Sequence, residues 1–156
     1  MRKKIGILMV MFLMLSAGAS FGEEPLIKAV QKNDVESVKN LIVSGAKVNT
    51  ADKSGTTALM WAARGENTEL VKLLINAGAD VNTKTNFGTT ALMVAAMTGR
   101  AEVVRILVNP QIGVDLQTKP AVDVNAKDKQ GNTALLFALR GKQNKIVEML
   151  RWAGAK

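Results

Sequence analysis

The feature that most constrains this chain is a nine-residue run that returns. GTTALMWAA at 55–63 reappears as GTTALMVAA at 88–96 and, more loosely, as GNTALLFAL at 131–139. The starts lie 33 and then 43 residues apart. A period near 33 residues implies a stack of small units rather than one globular core, because a single unit cannot bury its own apolar face. Aligned on the run, the chain divides into four units at about 24–51, 52–84, 85–127 and 128–156. Each unit follows one order. Gly55, Gly88 or Gly131 supplies a turn. Two residues later Thr57, Thr90 or Thr133 places a hydroxyl where it can cap the free amides of a helix start. A short helix with paired small residues follows, Ala62-Ala63, Ala95-Ala96 or Ala138-Leu139, and lets a neighbour approach closely. A second helix reads ESVKNLI, ELVKLLI, EVVRILV and KIVEMLR at 36–42, 69–75, 102–108 and 145–151. Its i, i+3, i+4 spacing marks one buried face. Gly45 and Gly78 then stop the helix.

These residues resemble the ankyrin repeat, whose usual Gly-x-Thr-Pro-Leu-His-x-Ala-Ala, Glu-Val-Val-x-Leu-Leu-Leu and Gly-Ala-Asp-Val-Asn segments are followed closely by units two and three. The resemblance covers nearly the whole chain after residue 22. It implies an all-α solenoid of four helix-turn-helix repeats, L-shaped, with β-turn fingers along one edge. Several positions depart from the pattern. The usual proline survives only as Pro25 and gives way to Ala58, Ala91 and Ala134. The usual histidine is replaced by Ile27, Met60, Met93 and Leu136, so the threonine caps act without the hydrogen-bond partner they have in the family. The glycine of the inter-helix turn is expected at Gly65, Gly99 and Gly141, one residue early in units two and four. Lys28 and Arg151, at places filled by Trp61/Val94 and Ile75/Val108, give the end units a polar outer face, as a complete four-repeat stack requires. The longer second spacing leaves ten extra residues near 110–121, bracketed by Pro110 and Pro120, which disfavour helix. This insertion is either a private contact loop or a tolerated surface loop; lengthening costs only about 0.6 kcal/mol per doubling, which favours the second.

The N-terminus has another character. Arg2-Lys3-Lys4 precedes an apolar run at 5–15 and a small-residue stretch ending at Gly22. That is the layout of a signal peptide over 1–22, cleaved after Ala19 or Gly22 and leaving a repeat domain at 23–156. The run falls short of the roughly 20 apolar residues a membrane span needs, so no stable span is expected after cleavage. Export from a bacterium to the periplasm or beyond follows. The chain has no cysteine and must hold together there by packing alone.

Without histidine or cysteine there is no Ser-His-Asp or Cys-His arrangement and no Cys/His zinc site, and no phosphate loop occurs. No enzyme activity, cofactor or metal is expected. Glu36, Glu69 and Glu102 recur at the start of the second helix, where they suit the helix dipole. Removing the leader leaves 18 basic and 13 acidic residues, a net charge of +5. That is too mild for a nucleic-acid binder. The family resemblance implies a monomer that binds another protein through its turn tips and the concave edge of its first helices. Carried onto this chain, the tips are Lys53, Ser54 and Thr56, then Asn86, Phe87 and Thr89, then Lys129, Gln130 and Asn132. The helix edge is Arg64, Met97 and Arg140, with Lys84 and Lys127 just before the turns. The expected face is a basic rim around an apolar centre of Phe87 and Met97, suited to a partner with an acidic patch. Trp61 is expected in the core, as are Met60, Met93 and Met149; Trp152 is expected to be partly exposed and to shield the stack's end. Two other roles are compatible with the sequence: a protective or chaperone-like factor supporting a periplasmic redox enzyme, and an effector secreted to a host.

Overall fold

A computed structural model describes residues 25–109 and 122–156. The leader and the insertion fall outside them. Among the described residues there are eight helices in four pairs: α1 Pro25–Gln31 with α2 Val35–Val43, α3 Ala58–Arg64 with α4 Thr68–Asn76, α5 Ala91–Thr98 with α6 Ala101–Val108, and α7 Ala134–Arg140 with α8 Asn144–Trp152. Helices of seven to nine residues are too short to persist alone. They persist here by stacking in two layers. The first helices pack in the order α1, α3, α5, α7, and the second helices in the order α2, α4, α6, α8.

The residue pattern explains the layers. Helix α5 (ALMVAAMT) has almost no polar side, which suits its place between α3, α7 and α6. Ala62, Ala63, Ala95, Ala96 and Ala138 are all buried and bring successive first helices close together. One continuous core runs the length of the stack, with Ile27, Leu59, Leu74, Leu92, Leu107, Ile146 and Leu150 among its fully buried side chains. Each contributes roughly 1.5–3 kcal/mol by leaving water. Met60 and Met93 lie in this core as expected, whereas Met149 is half-buried at its edge.

The helix punctuation falls largely where the sequence puts it. Thr57, Thr90 and Thr133 accept hydrogen bonds from the amides of Met60, Met93 and Leu136 at 3.4, 3.3 and 3.3 Å, so the caps form without histidine. Gly45 and Gly78 take φ of 85° and 88° at the ends of α2 and α4. The inter-helix turns need a correction. Only Gly99 is left-handed; Gly65 is extended and Gly141 is right-handed. The place is left-handed in three units, held by Asn33 (φ 57°), Gly99 and Lys142 (φ 54°), whereas in unit two Glu66 stands there and is not left-handed. A glycine one residue early cannot fill that place.

The ends are less uniform than a pair of polar caps. Lys28 and Arg151 are exposed, as expected. Leu139, at the position of the buried Ala63 and Ala96, is 46% exposed, because among the described residues nothing stacks on α7 there. Trp152 is 79% exposed, so its ring projects into solvent instead of covering the end.

Candidate protein-binding face

Three turns project between the helix pairs, and each is built the same way. The chain folds back through paired bonds: Asp52 N–H to Thr56 O (3.0 Å), Thr85 N–H to Thr89 O (3.0 Å) and Asp128 N–H to Asn132 O (3.0 Å). The side chain of the first residue gathers the amides ahead of it. Asp52 accepts from the amides of Ser54 and Thr56 at 2.9 and 3.0 Å. Thr85 Oγ1 accepts from Phe87 and Thr89 at 3.3 and 3.1 Å. Asp128 accepts from Gln130 and Asn132 at 2.9 and 2.8 Å. Neighbouring fingers are then tied backbone to backbone, Asn86 N–H to Ser54 O at 2.9 Å and Lys129 N–H to Phe87 O at 3.0 Å. The tips therefore form one edge of fixed spacing. At Gly88 the backbone has φ 83°, and a Cβ would stand 2.9 Å from Asp128 Cα of the next finger. Glycine is needed twice over, for the turn and for the close approach.

The carboxylates that hold the fingers feel this bonding. Burial raises the Asp52 carboxyl, but the Ser54 hydroxyl, the Thr56 and Ser54 amides and the Trp61 indole outweigh it and hold the group below its ordinary 3.8. The Asn132 side chain, opposed by slight burial and aided by two amides, does the same for Asp128.

The fourteen residues expected on the face divide by environment. Lys53, Ser54, Lys84, Asn86, Phe87, Lys127, Lys129, Gln130, Arg64, Met97 and Arg140 are exposed, while Thr56, Thr89 and Asn132 are half-buried. Several are partly engaged within the finger edge. The Ser54 hydroxyl bonds Asp52 and lies 2.7 Å from Thr56 Oγ1. Asn86 Nδ2 donates to Lys53 O at 3.0 Å, Lys84 Nζ to Lys127 O at 3.3 Å, and Arg140 Nη1 to Asn132 Oδ1 at 3.1 Å. Lys53, Lys127 and Lys129 form no ion pair among the described residues. Phe87 and Met97 are 62% and 54% exposed. They stand at opposite ends of α5. Phe87 stands before the start of α5 and Met97 in its last turn, about 9 Å apart along the helix rise alone.

Trp61 also departs from expectation. It is half-buried, its indole N–H donates to Asp52 Oδ2 at 3.4 Å, and the Arg64 guanidinium lies 5.8 Å from its ring centre. An indole N–H needs a polar partner when buried, and the finger carboxylate draws the ring out of the core toward the finger.

Sequence reasoning passed over two sets of residues. Asp52, Thr85 and Asp128 recur three residues before each finger glycine, a visible signal. Asn49, Asn82 and Asn125 bridge successive repeats through their side-chain oxygens, accepting from the amides of Asp80 (2.8 Å), Asp123 (2.8 Å) and Lys156 (2.9 Å). The acidic position at the second-helix start does more than meet the dipole. Glu69 pairs with Lys39 at 2.9 Å, and Glu102 with Lys145 at 3.4 Å, so ion pairs cross from α4 to α2 and from α6 to α8. Among the described residues no group of three or more His, Cys, Asp or Glu could hold a metal ion, and no helix is long and apolar enough to cross a membrane.

Comparison with known proteins agrees with this architecture. No curated protein matches the chain. A family model described as ankyrin repeats (3 copies) matches residues 6–85, 26–120 and 66–156, which together take in nearly all of it. Matched along most of its length and built of stacked helix pairs with tied fingers, the chain belongs to the ankyrin-repeat family, whose repeats serve as protein–protein interaction modules.

Proposed function

We propose that this protein is an exported, monomeric binding module that docks a bacterial envelope protein along its finger edge and first-helix edge. The observation that carries the reading is the row of tied finger tips holding Phe87, 62% exposed, between Lys53 and Lys129, whose ammonium groups form no ion pair among the described residues. A large apolar side chain set on a rigid backbone and rimmed by positive charge favours a partner with an acidic patch. Export is supported by the basic start, the apolar run at 5–15 and the small residues up to Gly22. Mass spectrometry of the protein from a periplasmic fraction should give a mature start at residue 20 or 23. A photocrosslinking residue at position 87 should capture one discrete partner in the native cell, and the same residue at the exposed Glu148 of α8 should not. Capture from both positions alike, or from neither, would remove the reading. A role as oxidant sink draws little support, since Met60 and Met93 are buried and Met149 is half-buried.

A further inference from the structure

Between units one and two, beside the inter-helix turns, lies a hollow of about 330 Å³. Its apolar side is formed by Val30, Ala62 and Leu70, all buried in the stack, and by the half-buried ring of Trp61. Its polar side is formed by Asn33, Asn67, Glu66 and Arg64. The walls are fixed before any ligand arrives. Asp52 holds the Trp61 indole through Nε1, and Asn67 Nδ2 donates to Asn33 Oδ1 at 2.8 Å across the two units.

The charges in this hollow do not cancel. The Glu66 carboxylate is already taken by the Arg100 guanidinium. Arg64 forms no ion pair among the described residues; its guanidinium lies over the Trp61 ring with its hydrogen-bonding edge unmatched by a carboxylate. A guanidinium on an aromatic face beside an apolar recess presents a fork that fits a carboxylate, and the ring accepts the methylene stem attached to it. One uncompensated positive charge matches one negative charge. A phosphate dianion would bring two, and would face Glu66 at the same wall.

We propose that this hollow receives a single Glu or Asp side chain from an extended segment of the partner protein, with its carboxylate on Arg64 and its stem along Trp61. The proposal rests on the protein-binding reading and places within it one anchor, at the first-helix end of unit two and away from the finger tips. It also assigns a purpose to the Trp61-Arg64 pair. The corresponding places in unit three are Val94 and Met97, which have neither ring nor charge.

The test uses Trp61 as its own reporter. Trp152→Phe removes the second of the two tryptophans at a site that is 79% exposed. Into this variant of the full chain, the probe peptide acetyl-Ala-Leu-Glu-Leu-Ala-amide is titrated while the emission of Trp61 is followed. A saturable change is expected, about tenfold weaker for the same peptide with Gln in place of Glu. Arg64→Gln should weaken the Glu peptide by a similar factor and leave the Gln peptide unaffected, while Arg64→Lys restores part of the loss. Raising salt should weaken the Glu peptide alone. Equal affinity for the two peptides, unchanged binding in Arg64→Gln, tighter binding of inorganic phosphate than of peptide, or no saturable change at millimolar peptide would each overturn the proposal. Circular dichroism of Arg64→Gln shows whether the stack is intact, and the Lys variant separates charge from fold. If position 87 still captures a partner while the peptide fails, the binding module stands and this anchor falls.

Discussion

Lys142 stands where the neighbouring unit has Gly99, and it pays for the mismatch with its backbone. At φ 54° its Cβ crowds the following carbonyl, a conformation costing an L residue about 1 kcal/mol. The side chain is exposed and forms no ion pair among the described residues. Lys142→Gly should therefore stabilise the protein by about 1 kcal/mol and raise the melting temperature by about 3 °C. An unchanged or lower melting temperature would contradict this. The finger glycines give the opposite lesson and a ranked pair. Gly88 and Gly131 share the positive φ, but only at Gly88 would a Cβ meet the backbone of the next finger; at Gly131 it would point into open space. Gly131→Ala should cost about 1 kcal/mol from the turn alone, and Gly88→Ala about 3 kcal/mol because the finger ahead must also shift. Denaturant unfolding of both variants checks the order, which an equal loss would refute.

The finger is the element in which residue chemistry and architecture meet most directly. Two of the three fingers are held by carboxylates and the middle one by the Thr85 hydroxyl, which does not titrate. Asp52 and Asp128 both have folded values below their ordinary 3.8. The stability they contribute is complete above that value and is lost as pH falls through their lower folded values. Acidification below 3.8 should therefore move the amide resonances of Thr56 and Asn132 while that of Thr89 stays in place; a shift of all three together would show that the fingers are held by something else. Much of this element was legible in the chain. The glycine and the capping threonine recur at fixed offsets, and their roles follow from conformation and hydrogen bonding alone. The turn-closing Asp52, Thr85 and Asp128 were equally periodic, yet Asp and Thr differ in charge and are easily read as unrelated surface residues. The positions of Trp61 and Lys142 were not legible. The first depends on a carboxylate nine residues away that only the folded finger brings to the indole, and the second on a turn that is left-handed in units one, three and four but not in unit two, whatever residue stands there. On the candidate face, exposure could be read from repeat position, but the placing of Phe87 and Met97 at opposite ends of α5 needed the folded helix.

At the scale of the whole stack, the question is whether the ten-residue insertion divides the molecule into two arrays or leaves one. The bonds on either side favour one. Asn82 Oδ1 meets the Asp123 amide at 2.8 Å, the same bond at the same length as Asn49 Oδ1 with the Asp80 amide, although 41 residues separate the first pair and 31 the second. The Lys129 amide meets Phe87 O as the Asn86 amide meets Ser54 O, and α7 and α8 pack on α5 and α6 as those pack on α3 and α4. The fourth unit thus returns to register after the insertion. In a stack where stability is a sum of unit and interface terms, an intact interface keeps the unit coupled to its neighbours. Replacing residues 110–121 with Ala-Gly, the residues found at Ala77 and Gly78, joins Asn109 to Val122 in the way Asn76 is joined to Ala79. Closing the shorter loop costs less entropy, by about 1 kcal/mol. The shortened chain should unfold in a single transition with stability raised by about that amount, and capture from position 87 should persist. A second transition, or a loss of stability, would show that the insertion supports the fourth unit. Unchanged stability with lost capture would make it part of the docking surface.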